Sequence, residues 1–149
     1  MVAPLKIPSG GSEFALPGSH GAHLDTPVRE IMTAGVVALT EDASLRQAHR
    51  ALVAHRIHGV LVIGRNGGRP LGWITARGLL AWAEQDATIA SARDAITERA
   101  ETIEPSATAR EAIAALSQPG VSHLLVCRHP MESPEGVISE LDLVTLGAR

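Results

Sequence analysis

Aromatic residues are almost absent from this chain of 149 residues. It has no tyrosine, one phenylalanine and two tryptophans, which together make up 2% of the sequence. Proteins that bind single-stranded nucleic acid without sequence preference stack successive bases on aromatic side chains, and this chain has almost none to offer. The core must instead be aliphatic, because Ala, Val, Leu and Ile supply nearly all of the 45% hydrophobic content.

Cysteine, basic charge and long apolar runs are also scarce. The single Cys127 excludes an internal disulfide bond and favours a reducing, cytoplasmic compartment. The formal net charge of −3 does not predict the basic surface of a nucleic-acid-binding protein. No apolar run reaches the ~18 residues of a membrane-spanning helix, and no apolar stretch follows a basic start as in a secretory signal. We therefore expect a cytoplasmic protein with no nucleic-acid or membrane partner.

The first 24 residues differ in composition from the rest. They contain three prolines and four glycines and show little apolar periodicity, which predicts a flexible N-terminal arm over 1–24. His20 and His23 have no Cys, Asp or Glu at ligand spacing, so they make a poor metal site. We expect this arm to be dispensable for folding.

The remainder of the chain repeats itself with an offset of 64 residues and no gap. The matched segments are Val28–Thr33 with Ala92–Thr97, Gly59–Ile63 with His123–Cys127, and Pro70–Thr75 with Pro134–Ser139. Two copies are too few for a solenoid, which needs at least three. The repeat therefore predicts two similar units, residues 25–87 and 88–149, packed around a pseudo-twofold axis.

Each unit is predicted to combine helices and strands in a mixed α/β (α+β) fold. The predicted order of its elements is β-α-β-β-α. A short helix beginning at Thr26–Pro27 opens the first unit, with Thr26 as its N-cap. The first strands are predicted at Val36–Leu39 and Glu101–Glu104, and the closing helices at Ala76–Gln85 and Glu140–Leu146. Asn66-Gly67 between two apolar runs indicates a hairpin.

Polar side chains that could bind a ligand lie at the junction between the last strand and the last helix of each unit. Thr75 and Ser139 end a strand and precede a helix, whose free N–H groups attract anions such as phosphate. Asp142, one turn after Ser139, is placed to accept the two hydroxyls of a ribose. The same Ser-x-x-Asp spacing is also a capping pattern that a helix start uses for structural reasons alone. The pattern by itself leaves both interpretations open.

Taken together, the repeated segments resemble the CBS-domain family, named for cystathionine β-synthase, whose domains occur in pairs. The resemblance implies a cleft between two units and regulation by an adenosyl ligand: AMP, ADP, ATP or S-adenosylmethionine. It also implies that Ser139 contacts phosphate and that Asp142 contacts ribose. By position, Thr102 and the segment Val121–His123 are expected to hold the base.

The first unit departs from the family pattern, because Gly78 stands where the ribose-binding Asp is expected. Thr75 and the basic Arg77 remain. We therefore expect one nucleotide per chain, at Asp142, with Arg77 steering its phosphates from the neighbouring unit.

No nucleophile–base set, metal cluster or phosphate-transfer loop is evident, so we expect a non-enzymatic protein with no required cofactor. One alternative is a ligand-free CBS pair that only binds an unknown protein partner. A lesser alternative is a metal-responsive site at His55 and His58. A mean hydropathy of +0.12 and many Ala and Leu residues predict a homodimer that hides apolar surface. Trp82 is expected either in that interface or between the two units.

Overall fold

The structure is a computed structural model that describes residues 23–85, 90–130 and 132–147. The predicted arm over 1–24 therefore lies almost wholly outside the described residues. The elements of the first unit are β1 (Thr33–Ala34), β2 (Ala38–Thr40), α1 (Leu45–His55), β3 (Gly59–Ile63), β4 (Pro70–Thr75) and α2 (Ala76–Leu80). Those of the second unit are β5 (Glu101–Ile103), α3 (Ala109–Leu116), β6 (His123–Val126), β7 (Gly136–Ser139) and α4 (Glu140–Gly147). A short 3₁₀ helix opens each unit, at Val28–Glu30 and Ala92–Ala95.

The long helix of each unit starts at a capping box. Ser44 caps α1 with Gln47, and Thr108 caps α3 with Glu111, each pair exchanging backbone and side-chain hydrogen bonds. Residues at helical spacing then face the core, while the apolar Ile113 of α3 is exposed. In α1 they are Leu45, Ala48 and Leu52, and in α3 they are Ala109, Ala112 and Leu116. The order β-α-β-β-α is confirmed for β2 to α2 of the first unit and for β5 to α4 of the second, and the first unit has the short strand β1 in addition.

The described strands form two sheets. One has the order β2-β3-β4 and the other the order β1-β7-β6-β5. Strand β2 pairs in parallel with β3, and β5 pairs in parallel with β6. Strand β3 pairs antiparallel with β4, and β6 pairs antiparallel with β7. Strand β1 belongs to the first unit by sequence, yet it pairs antiparallel with β7 of the second unit.

The opening segments of the two units are exchanged. The backbone N–H of Val28 donates to the carbonyl of Ala107 at 2.7 Å, and that of Ala92 donates to the carbonyl of Ala43 at 2.7 Å. Val28 and Ile31 accordingly pack in the core of the second unit, while Ala92 and Ala95 pack in the core of the first. Neither unit has a complete core without the other.

Two equivalent glycines make this exchange possible. A Cβ on Gly136 would lie 2.5 Å from the Thr33 carbonyl oxygen, and one on Gly72 would lie 2.6 Å from the Glu98 carbonyl oxygen. Only glycine lets another backbone approach this closely. The crossing segments therefore lie directly against β7 and β4.

A third core joins the two units across the predicted pseudo-twofold axis. Its residues form four pairs related by the 64-residue offset: Leu61 with Leu125, Ile63 with Cys127, Trp73 with Val137, and Val36 with Ala100. The two units therefore contact each other through equivalent positions. Burial raises the pKa of the Cys127 thiol, so Cys127 stays a neutral, apolar side chain at this contact.

Several predicted boundaries are wrong by a few residues. The closing helix of the first unit ends at Leu80, not Gln85, because the N–H groups of residues 81–83 bond three residues back instead of four. The opening helix of that unit is a 3₁₀ turn capped by Pro27, not Thr26. The first strands lie at Ala38–Thr40 and Glu101–Ile103.

Trp82 packs against the core of the first unit and not between the units.

Candidate functional site

The β7–α4 junction brings Ser139 and Asp142 together as predicted. The Ser139 backbone N–H donates to Asp142 Oδ2 at 2.8 Å, and the Ser139 hydroxyl donates to the same oxygen at 3.2 Å. Both residues are half-buried. The carboxylate is therefore held at the start of α4, where N–H groups without helical partners and the positive end of the helix dipole lie.

Thr33 is the residue that sequence reasoning missed in this site. Its hydroxyl donates to Asp142 Oδ1 at 3.3 Å, and it reaches Asp142 because β1 crosses into the second sheet. The repeat offered one sign of this role, because a threonine occupies the same position in both units, Thr33 in the first and Thr97 in the second. A carboxylate offers about four acceptor directions. Ser139 and Thr33 use three of them, and the fourth, on Oδ1, has no donor among the described residues. We call Thr33, Ser139 and Asp142 the second cleft.

The equivalent first cleft consists of Thr75, Gly78 and Thr97. Thr75 accepts a hydrogen bond from the Gly78 N–H at 3.0 Å, and the two threonine hydroxyls lie 3.4 Å apart. A Cβ on Gly78 would lie 2.9 Å from Thr97 Cγ2. The threonines thus occupy the space that a side chain at position 78 would need. Arg77 is exposed in the first turn of α2.

His123 is the first residue of β6 and is 8% exposed. Its ring stacks on Trp73 with centroids 4.8 Å apart, and its Nδ1 lies 2.7 Å from the Ser122 hydroxyl oxygen. Gly59 gives the ring room, because a Cβ there would lie 2.7 Å from His123 Cε1. Burial lowers the pKa of His123, and the charge of Glu98 opposes that shift.

The other residues expected to hold the base are more distant from Asp142 in the fold. Val121 is buried in the core of the second unit. Thr102 is exposed on β5, which β6 separates from β7. Ser122 donates its backbone N–H to Glu98 Oε2 at 3.1 Å. His123 pairs with Ser139 in the sheet register and is the member of this segment nearest the second cleft along the sheet.

The residues described contain no group of three or more side chains that could hold a metal ion. The predicted pair His55 and His58 is exposed at the end of α1 and just beyond it. In the same described part of the chain, no helix is long and apolar enough to cross a membrane.

Comparison with known proteins identifies the family. The CBS domain family matches residues 28–84 and 92–149, so the chain belongs to the CBS-domain proteins and contains two such domains. No curated protein matches this sequence.

Solved structures show the same fold. The CBS domain of a bacterial CNNM/CorC family Mg²⁺ transporter in complex with ATP is 23% identical, with a TM-score of 0.75, over 91% of this chain and 96% of that chain. CBS domain protein PAE2072 from Pyrobaculum aerophilum, complexed with AMP, is 19% identical, with a TM-score of 0.70, over 83% of this chain and 100% of that chain. CBS-domain protein ATU1752 from Agrobacterium tumefaciens is 26% identical, with a TM-score of 0.71, over 83% and 95% of the two chains.

Proposed function

We propose that this protein is a regulatory module that binds one adenosine nucleotide per chain in the second cleft. The observation that carries the proposal is the Asp142 carboxylate. It is fixed by Ser139 at the start of α4 and keeps a free acceptor direction on Oδ1. The first cleft has Gly78 at the equivalent position and so has no carboxylate there.

In this proposal each residue has a distinct role. Asp142 accepts a hydrogen bond from the ribose through Oδ1, while the Ser139 hydroxyl and the first N–H groups of α4 bind phosphate. Arg77, exposed at the start of α2, steers phosphates by its charge. Thr102, Val121 and His123 remain the candidates for contact with the base. The ATP and AMP complexes of the two structural relatives support an adenosine ligand.

We further propose that the protein acts by binding and not by catalysis, in the cytoplasm, and as a homodimer. The change that the nucleotide causes would pass to a protein partner through the dimer. Exposed apolar side chains on all four helices support the dimer, because such patches usually mark interfaces.

A second candidate function is a CBS pair that binds a protein and no nucleotide. It is favoured by one observation: the bonds from Ser139 to Asp142 are those of a helix cap. In that case Asp142 has only a structural role.

Calorimetric titration of AMP, ADP, ATP and S-adenosylmethionine into the wild type and two variants separates the two functions. Asp142→Ala removes the ribose acceptor and is expected to weaken binding by roughly ten- to a hundredfold, or ~1.5–3 kcal/mol. Asp94→Ala is the matched control, because Asp94 Oδ2 accepts from the Ser91 N–H at 2.8 Å in the same kind of cap, outside both clefts.

We expect Asp94→Ala to bind nucleotide as the wild type does. Equal nucleotide affinity in the wild type and Asp142→Ala would show that Asp142 acts only as a helix cap. Failure of the wild type to bind any of the four ligands would favour the protein-binding function.

A further inference from the structure

His123 lies on the same face of its sheet as Ser139, the residue proposed to bind phosphate. Strands β6 and β7 pair antiparallel, and His123 and Ser139 stand opposite each other in their register. Side chains directly opposite each other in an antiparallel pair emerge on the same face, with their Cβ atoms about 4.5–5.5 Å apart. The His123 ring is therefore a neighbour of the second cleft, although it is not one of the three residues that define it.

The first cleft has no counterpart of this imidazole. Gly59 is the equivalent of His123, and it stands opposite Thr75 in the register of β3 and β4. The His123 ring lies against Gly59, where an added Cβ would be 3.0 Å from Nε2. The second cleft thus differs from the first in two side chains, an imidazole as well as a carboxylate.

Two residues determine which nitrogen of the His123 ring carries a proton. The hydroxyl and the backbone N–H of Ser122 both donate to Glu98 Oε2. A carboxylate can only accept, so the Ser122 oxygen is left to accept from His123 Nδ1, which lies 2.7 Å away. In the neutral ring, a proton on Nδ1 leaves an unprotonated nitrogen at Nε2. We call Glu98, Ser122 and His123 the relay.

His123 Nε2 can be reached from solvent. Among the described residues it has no hydrogen-bond partner, and the one buried side-chain nitrogen or oxygen without a partner there is Trp73 Nε1. The 8% of His123 that stays exposed therefore includes Nε2. Because the ring is held by its stack on Trp73 and its bond to Ser122, this nitrogen is presented in a fixed position.

We propose that His123 is a further ligand residue of the second cleft and that it takes up a proton from solvent when an adenosine 5′-phosphate binds. The protonated ring donates through Nε2 to a phosphate oxygen and through Nδ1 to Ser122, whose hydroxyl donates to Glu98. Glu98 and Ser122 are positioning residues, because they act on the ligand only through His123. The inference rests on the proposed nucleotide binding, and it moves His123 from the base to the phosphate.

The groups around the ring set the direction of the coupling. In the free protein, burial lowers the pKa of His123, the charge of Glu98 raises it, His58 lowers it, and Asp142 and Glu140 raise it. A phosphate beside Nε2 adds negative charge and so raises the pKa of His123 further. The ring then holds a proton at a pH at which the free protein releases it, so nucleotide affinity is expected to rise as the pH falls.

Calorimetric titration of AMP into the full chain between pH 8.5 and pH 7.0 tests this coupling. The second pKa of a phosphate monoester is about 6, so the ligand itself stays mostly a dianion over that range. Affinity in the wild type is expected to rise roughly two- to tenfold. Titrations in two buffers of different ionisation enthalpy are expected to show proton uptake on binding. Adenosine, which has no phosphate, is expected to bind without proton uptake.

Three variants locate the proton. His123→Gln keeps a hydrogen-bonding side chain that does not titrate, and it is expected to bind AMP with no proton uptake and no dependence of affinity on pH. Glu98→Gln removes the negative end of the relay outside the second cleft and is expected to lower the proton uptake at a given pH. His55→Gln is the matched control, because His55 is exposed at the end of α1, and it is expected to behave as the wild type does.

The other outcomes each overturn the inference. Binding of AMP that is independent of pH and takes up no proton would remove the coupling and leave the proposed nucleotide function standing. Proton uptake that persists in His123→Gln would assign the proton to another group, such as His58. Equal proton uptake in Glu98→Gln and the wild type would contradict the relay. If the wild type binds no nucleotide at any pH in this range, the proposed function fails together with the inference.

Discussion

Asp142 and Gly78 stand at equivalent positions, and this single difference makes the two clefts chemically unequal. Asp142 has room for its side chain because Thr33 meets it as a hydrogen-bond donor. At Gly78 the space is taken by Thr75 and Thr97, whose side-chain atoms would lie about 3 Å from an added Cβ. The first cleft therefore lacks the carboxylate, and a side chain at position 78 would require Thr97 or Thr75 to shift.

In the proposed site, the Thr33 hydroxyl would share Asp142 Oδ1 with the ribose. Thr33→Val removes the competing donor and leaves two free acceptor directions, so nucleotide affinity is expected to rise. One hydrogen bond is worth ~0.5–1.5 kcal/mol, which is a factor of roughly two to ten. Titration of the variant tests this. Thr97→Val, the equivalent change beside Gly78, is expected to leave affinity unchanged, and an equal rise in both variants would contradict a specific role for Thr33.

His123 should make stability depend on pH. Its pKa in the folded protein is lowered from the ordinary value of 6.5, first by burial, although Glu98, Asp142 and Glu140 oppose the shift. Below about pH 6.5 the unfolded chain therefore takes up a proton that the folded chain resists, so this contribution is complete above that pH and is lost as the pH falls.

We expect urea unfolding to show a smaller loss of stability between pH 7.5 and 5.5 in His123→Phe than in the wild type. Phenylalanine keeps a ring against Trp73 but has no charge to gain. An equal loss in both proteins would show that other groups control the acid response.

At the scale of elements, the crossing of β1 over β7 depends on Gly136. Gly136→Ala would push a Cβ into the Thr33 carbonyl and the Met32 side chain, and overpacking of this kind costs ~1–3 kcal/mol. Gly147→Ala is the control, because nothing lies within 4 Å of an added Cβ there and alanine favours a helix. Denaturant unfolding should show a clear loss for the first variant and none for the second. Wild-type stability in Gly136→Ala would mean that β1 does not lie against β7.

At the scale of the whole molecule, the exchanged openings predict that the units fold together. A chain of residues 25–149 keeps Val28 and Ile31 and is expected to unfold in urea within ~2 kcal/mol of the full chain. A chain of residues 35–149 loses both from the core of the second unit. Each such side chain contributes ~1.5–3 kcal/mol, so we expect this chain to lose cooperative unfolding. Retention of wild-type stability by 35–149 would contradict the exchange.

The sequence by itself determined the repeat, the order of elements and the unequal clefts. These follow from local patterns: capping residues such as Ser44 and Thr108, the helical spacing of Leu45, Ala48 and Leu52, and the presence of Asp142 opposite Gly78 in the alignment of the repeats. Local hydrogen bonding and periodicity act within a few residues along the chain, and for that reason they can be read from it.

Only the tertiary structure decided which unit each opening segment joins and which residues meet Asp142. Thr33 and Asp142 are 109 residues apart along the chain. No sequence pattern within either segment predicts the hydrogen bond between them. Val121 packs in the core of the second unit and the His123 ring stacks on Trp73, and neither contact can be predicted from the residues that flank them. Such contacts depend on how the two sheets pack around Trp73 and on the space left by Gly59, Gly72 and Gly136. That packing exists only once the whole chain has folded.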